Sequence, residues 1–484
     1  MDGKYLNYIR QNKKKIAVSV AVIILVIVLG IALHPDKYFR PSSTEANKTV
    51  YVAGDGSGDF NCDGSDDQVE INKALKYVAE NPEYSTVCLK SPGTYVISDS
   101  IFIGSKTVLE GNSTAVIKLA NKAGWPSMKP LIQQMDSSGN SNITVKGFEV
   151  NVNYPGNNEI TLGKGYYNVM HFKNCTNVEV SNMYLHHGTG DGLRIENSSD
   201  IRFYNNKIYK LGHDGLYAIN CLNVEAWNNR ITCRTDSGLR AWDSNRVKFH
   251  DNVINSFYHW SAGGPGIQIE KSKGVVNDVE IYNNTIYDTY GPGIWLLGYG
   301  EAYPKKEAQN VHIHNNILYN TGTNPSIDWV GGVITSGFYD TLIENNVFDG
   351  VYHAAVIHMA PDLPDIDISP QVKGYTTIVR NNIIVNTQKR AKDSNGTGYA
   401  IINYLPEISS FVLENNCLYK NEGGNYKNAN SSTDTYADPL FVNQKNHNYR
   451  LKQKSPCIGT GYLLPDTANK SGNSTVSVNI GRYS

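Results

Sequence analysis

The sequence predicts an all-β chain, a right-handed parallel β-helix of single strands with a short helix at its start and one transmembrane helix before it. Three observations carry this. A unit of one length recurs through the middle of the chain, an Asn-Asn pair marks the same place in each unit, and each unit holds three short strands of alternating polarity.

The repeat is read directly. NVEVSNMYLHHGTGDGLRIENS starts at Asn177, DIRFYNNKIYKLGHDGLYAINC at Asp200 and NVEAWNNRITCRTDSGLRAWDS at Asn223. Longer and weaker copies follow as far as SFVLENNCLYK. Gly192, Gly215 and Gly238 are 23 residues apart, as are Asn206, Asn229 and Asn252. A unit of that length with three alternating strands is one coil of a solenoid. Coils then stack at the strand-pairing distance of roughly 4.8 Å. Asn at the corner tolerates left-handed geometry and can bond its equivalents in the coils above and below, so the Asn ladder is read as structural.

The start of the fold follows from residues 68–79. Val69, Ile71, Ala74 and Leu75 fall on one helical face, with Asp67 or Asp66 as N-cap. Such a helix hides the unpaired sheet edge of the first coil. The acidic run Asp55, Asp59, Asp63, Asp66 and Asp67 could be read as a Ca2+ loop, although it lacks EF-hand spacing. Ca2+ is the one cofactor the sequence suggests, and no residue is assigned to a metal.

Residues 16–34 contain 18 uncharged, mostly apolar residues, about the least that crosses a bilayer as a helix. Lys4, Arg10, Lys13, Lys14 and Lys15 precede them against a single Asp2. The positive-inside rule puts residues 1–15 in the cytoplasm and the rest outside. A cleaved signal peptide is the rival, but its apolar core is shorter and ends in small residues. The expected organisation is a cytoplasmic segment 1–15, an anchor 16–34, a stalk 35–48, the β-helix 49–424 and a closing segment 425–484. Net charge over the 484 residues is -1, so the bulk charge does not call for nucleic acid. The seven cysteines form no CxxC pair, which argues against a zinc site of the usual spacing. Cys175 and Cys221 end equivalent segments and read as buried thiols. Cys62 with Cys88 and Cys417 with Cys457 are the pairings weighed, and none is settled. Oligomeric state stays open.

The chemistry is expected on the outward face of the third strand. Leu193, Ile195, Leu216, Ala218, Leu239 and Ala241 alternate inward. Between them Arg194, Tyr217, Arg240, Gln268 and Trp295 form one outward column, and Glu196, Trp242 and Glu270 the next. Insertions at 255–265, 297–309, 321–331 and 359–374 flank this strand and should wall a cleft. Flat aromatic faces and forked donors suit sugar rings and their carboxylates, and the arginines favour an acidic polysaccharide partner. His187, His259 and Trp260 are further candidate sugar contacts.

Acid–base candidates sit at the turn before the strand. Asp191, Asp214 and Asp236 recur at intervals of 23 and 22. One coil apart, Asp191 and Asp214 approach the retaining-hydrolase separation of roughly 5 Å, and Asp191 with Asp236 the wider inverting one. His213 could act as acid, base or sugar contact. Glu270 is the rival carboxylate. Asp before Gly is also an ordinary turn device.

The opening stretch VYVAGDGSGDFNCDGSDDQVEINKALKYVAENPEYSTVCLKSPGTYVIS resembles that of pectate-lyase-like surface proteins. INSFYHWSAGGPGIQIE, NDVEIYNNTIYDTYGPGIWLLG and NNVFDGVYHAAVIHM resemble the disaggregatase-related family of methanogenic archaea. That resemblance, over roughly residues 245–440, implies a cell-surface protein acting on methanochondroitin, a wall polymer of N-acetylgalactosamine and glucuronic acid. No catalytic motif of the family is laid onto these residues. An endo-acting glycosidase is the first expectation. A polysaccharide lyase, with Arg194 or Arg240 neutralising a uronate and His213 or Tyr217 as base, is the second. A non-catalytic polysaccharide-binding or structural surface protein is the third.

Overall fold

The computed structural model describes residues 48–482, except 158–166, 234–235, 257–263, 299–306, 326–329, 360–375, 391–394, 406–409 and 463–477. The expected anchor and stalk, apart from Lys48, lie outside the described residues. Among the described residues no helix is long and apolar enough to cross a membrane.

Three parallel sheets run the length of the molecule, with 14, 12 and 12 described strands. Each coil adds one strand to each sheet. One coil supplies Ser199–Tyr204, Lys207–Leu211 and Leu216–Ile219. The next supplies Leu222–Trp227, Arg230–Cys233 and Leu239–Trp242. Ile201 pairs with Val224, Ile208 with Ile231 and Leu216 with Leu239. The inward residues of the third strand, from Leu193 to Leu296, are all buried and belong to one continuous apolar core.

The Asn-Asn corners divide their labour. The first Asn of each pair takes the left-handed conformation, as at Asn205 (φ 56°), Asn228 (φ 52°) and Asn283 (φ 56°). The second turns inward. Asn252 Oδ1 accepts from the backbone N–H of Asn229 at 3.0 Å, and Asn284 Oδ1 from that of Asn252 at 3.0 Å. The ladder continues through Asn316, Asn346, Asn382 and Asn416 and ends on Asp434. Each buried backbone donor at this corner thus meets an acceptor from the coil above, as an interior corner requires. Cys175 and Cys221 stand at another corner, where their N–H groups donate to Ser198 and Ser244 hydroxyls. Cys62, Cys88, Cys175, Cys221, Cys417 and Cys457 are free thiols, so neither pairing weighed from the sequence is formed.

The glycine before the third strand is required by space. A Cβ on Gly215 would lie 2.5 Å from the carbonyl oxygen of Gly238 in the next coil.

The helix Gln68–Glu80 lies against the first strands, burying Ile71, Ala74, Leu75 and Val78. Val69, expected on that face, is exposed (43 %). It sits one position past Gln68, which with Ile71, Leu75 and Val78 follows the 3.6-residue period of the buried face. Asp67 occupies the N-cap position without capping. Its carboxylate instead accepts the N–H groups of Gly64 and Val96, tying the helix start to the coil. The other acidic residues nearby serve local donors: Asp55 takes Ser57, Asp63 takes Ser65 and Asp59 takes the N–H of Tyr51. After the last coil the chain folds back along the outside of the second sheet. Phe441, Tyr449, Cys457 and Ile480 cover Val347, Ile383 and Cys417 there.

Candidate active site

Strand pairing in the third sheet stacks the expected outward columns. His171, Arg194, Tyr217, Arg240, Gln268 and Trp295 are successive partners in one, and Glu196, Ile219, Trp242 and Glu270 in the next. The turn entering this sheet builds a staircase beside them. Asp191 N–H donates to Asn168 Oδ1, Asp214 N–H to Asp191 Oδ1 and Ser237 N–H to Asp214 Oδ1, at 2.8–3.0 Å. Ser237, not Asp236, is therefore the structural equivalent of Asp191 and Asp214. Asp236 stands one residue earlier.

His213 joins the carboxylates. Its Nδ1 lies 2.5 Å from Asp191 and 3.1 Å from Asp214, and its Nε2 lies 3.3 Å from Asp236. Burial opposes charge on this imidazole, but Asp191 and Asp214 outweigh it and raise its pKa well above the ordinary value. The two carboxylates thus favour the cationic form of His213. The ligand atoms of Asp191, His213 and Asp214 are close enough to share a metal ion. A ligating His213 would first have to give up the proton that now satisfies the carboxylates.

Arg240 is the second hub. It reaches Glu270 at 2.8 Å, Asp236 at 3.5 Å and Asp214 at 3.6 Å. Arg240 and Arg194 lie on Tyr217, at 4.5 and 5.0 Å from the ring centre. Arg194 is held by Glu196 at 2.7 Å, and Glu196 also meets His171 at 3.1 Å. The hydrogen bond from His171, with that from Arg194, keeps the Glu196 carboxyl far below its usual range despite burial.

Two carboxyl groups move the other way. Burial raises Glu270 to about 7 even with Arg240 beside it. Burial, and then Asp214, raise Asp236. Both can hold a proton nearer neutrality than an ordinary carboxyl, which a general acid requires. Gln268 donates to the Glu270 oxygen that Arg240 holds. The other oxygen, Oε2, is buried without a hydrogen-bond partner among the described residues.

The structure corrects several expectations. Asp191 and Asp214 do not present themselves as an open acid–base pair. Their side chains have no exposure, and one oxygen of each serves the staircase. Both Oδ2 atoms are buried, with Arg194 beside that of Asp191 and His213 and Arg240 beside that of Asp214. Trp242 and Trp295, expected as exposed sugar platforms, are half-buried. Trp242 stacks beside Tyr217 at 6.3 Å, and Trp295 packs on Ile334, Ala354, Ile357 and Ile402. His213 and Tyr217, expected as candidate bases of a lyase, are unsuited to that task. The first is protonated, and burial drives the second well above an ordinary phenol. The arginines are already matched by internal carboxylates. His187 has His186 and Tyr209 of the second sheet as ring neighbours. His259 and Trp260, with most of the four insertions, lie outside the described residues. His171 belongs to the cluster but was not named from the sequence, and Glu196 was placed in the second outward column without a role. The 23-residue spacing, carried one coil back from Arg194, reaches His171.

Coils, sheets and closing segment define a right-handed parallel β-helix, and residues 137–306 match the family model "Right handed beta helix region". Residues 276–471 match the family model described as "Disaggregatase related". The stretch 254–270 that contributed to the resemblance, and the carboxylate cluster itself, precede that match. Among solved structures, the A-module of the mannuronan C-5 epimerase AlgE4 of Azotobacter vinelandii is 15% identical with a TM-score of 0.57, covering 80% of this chain and 100% of its own. The surface adhesin PfbA of Streptococcus pneumoniae is also 15% identical, with a TM-score of 0.53 and coverage of 77% and 91%. These likenesses show the fold. No curated protein sequence matches the chain.

Proposed function

We propose that the protein is a cell-surface carbohydrate-active enzyme, an endo-acting glycosidase that cuts a wall polysaccharide of amino sugar and uronic acid. The observation that carries this reading is Glu270, raised to about 7 on the outward face, with Asp236 on the same guanidinium. Glu270, whose Oε2 has no hydrogen-bond partner among the described residues, is the general acid of this reading, and a sugar must displace the side chains that now bury it. Asp236, the more exposed carboxyl, serves the other side of the oxocarbenium-like transition state. Arg240 sits between them and takes up charge as each gives or receives a proton. Asp191 and Asp214 act behind these groups by holding His213 as a cation. The polymer class is supported by the disaggregatase-related stretch. A uronate would enter by displacing the partly exposed Asp236 from Arg240 and His213.

A lyase is the second reading, favoured by the placement of Tyr217 between two arginines. It suffers from the lack of a suitable base among the residues expected to supply one. The adhesin of similar fold keeps a binding role as a third outcome. The test is incubation of the full chain with a glucuronate-containing wall polymer, following chain length, reducing ends and ultraviolet absorbance. New reducing ends without the absorbance of an unsaturated uronate support the glycosidase. Shortening with that absorbance overturns it for the lyase. Retention of an uncut polymer overturns it for binding alone.

A further inference from the structure

The outward face of the first sheet carries a cluster the proposed reaction does not use. Strands Val276–Tyr282, Ala308–His314 and Thr341–Glu344 lie side by side there. Alternate residues of a strand share a face, so His312 and His314 project together. Glu280 is paired with His312 from one side, and Glu344 with His314 from the other. The contacts cross these pairs. His314 Nε2 lies 3.3 Å from Glu280 Oε1, and His312 Nε2 lies 2.8 Å from Glu344 Oε1. The two imidazoles are 4.1 Å apart. One ligand atom from each of Glu280, His312 and His314 lies within 4.8 Å of the others.

The surroundings orient these groups. Lys248 holds the second oxygen of Glu280 at 3.1 Å, and Arg380 that of Glu344 at 2.7 Å. Each carboxylate therefore turns its first oxygen towards an imidazole, as outer partners do for metal ligands. Tyr282 lies flat against His314 at 5.1 Å and 7° and fixes its ring. Elsewhere on the same sheet His250 meets Glu225 at 3.4 Å through Nε2 and Asp251 at 2.7 Å through Nδ1, on opposite sides of its ring and with no second imidazole among the described residues.

We infer that Glu280, His312 and His314 form a site for one divalent transition-metal ion on the outer face of the first sheet, with Glu344 orienting His312 from outside the set. Two imidazoles and a carboxylate suit Zn2+ or Co2+ better than Ca2+ or Mg2+, which favour all-oxygen shells. The ion would join two adjacent coils near the start of the disaggregatase-related stretch. Anything that binds only the folded chain stabilises it.

The experiment treats the full chain with a chelator and then titrates it with Co2+, reading visible absorption and bound metal, followed by Zn2+ as competitor. The expected result is one saturable equivalent of Co2+, displaced by Zn2+, with a rise in melting temperature. His312→Gln and His314→Gln should abolish that equivalent, and Glu280→Gln should weaken it at least about tenfold. His250→Gln should leave it intact. Circular dichroism identifies any variant that does not fold, and the Glu280 variant then decides with both imidazoles in place. No saturable equivalent in the wild-type chain, or one that persists in the folded His or Glu280 variants at unchanged affinity, overturns the site.

Discussion

Burial raises the pKa of Glu270 because its charged form loses water, whereas two carboxylates beside His213 overcome the same cost and keep it charged. For Glu270 the folded value, about 7, exceeds the ordinary 4.5. Its contribution is present below 4.5 and is lost as pH rises towards 7, by about 3 kcal/mol in all. His213 is raised too, so its contribution is present below its ordinary value and is lost as pH rises through the folded one. Glu344 works in the opposite direction. It is lowered to about 2, burial being outweighed by His312 and Arg380, so its contribution disappears as pH falls from 4.5. Urea midpoints measured across pH should therefore peak on the acid side of neutrality. Glu270→Gln should flatten the decline between about 4.5 and 7. A wild-type midpoint that rises steadily through that window would contradict the assignment.

At the scale of the coil, the Asn-Asn dipeptide offers a comparison within one corner. Asn283 is left-handed, while Asn284 serves the buried ladder. Asn284→Ala strands the N–H and side-chain amide of Asn252 and the carbonyl of Phe249. It should cost at least about 2 kcal/mol by urea unfolding, since each stranded buried group costs roughly 1–3 kcal/mol. Asn283→Ala faces mainly a left-handed backbone cost of roughly 1–2 kcal/mol and should be the milder change. Gly215→Ala should destabilise too, because its Cβ meets the backbone of the next coil and cannot be relieved by a rotamer. The repeat made these corners legible, but identical letters do not say which Asn turns inward. The helix shows the same limit: its place followed from the apolar period, while the exposure of Val69 and the uncapped Asp67 depend on how the helix seats on the coil.

For the whole molecule, equal spacing was enough to recover the coil, the three strands and the outward columns from Arg194 to Arg240, and strand alternation carried the columns on to Trp295 across the longer coils. The periodicity also placed Asp191 and Asp214 at one turn. It could not show that a staircase of backbone N–H groups would occupy one oxygen of each, or that Ser237 rather than Asp236 continues the series. His171 lies one 23-residue step before Arg194, but the turn ahead of it carries Asn168-Val169 where the next two coils carry Asp-Gly, so the turn signal does not mark its coil. Burial of Gln268 and Glu270 depends on neighbouring coils and cannot be read from alternation, which marks both as outward. The decisive measurement is the release of reducing ends from a glucuronate-containing wall polymer, by wild-type chain and Glu270→Gln, across pH. The wild type should lose activity as pH rises through about 7, and the variant should be about 100-fold slower or worse, without that limb. A variant that cuts the polymer at the wild-type rate, with the same pH profile, would contradict the account.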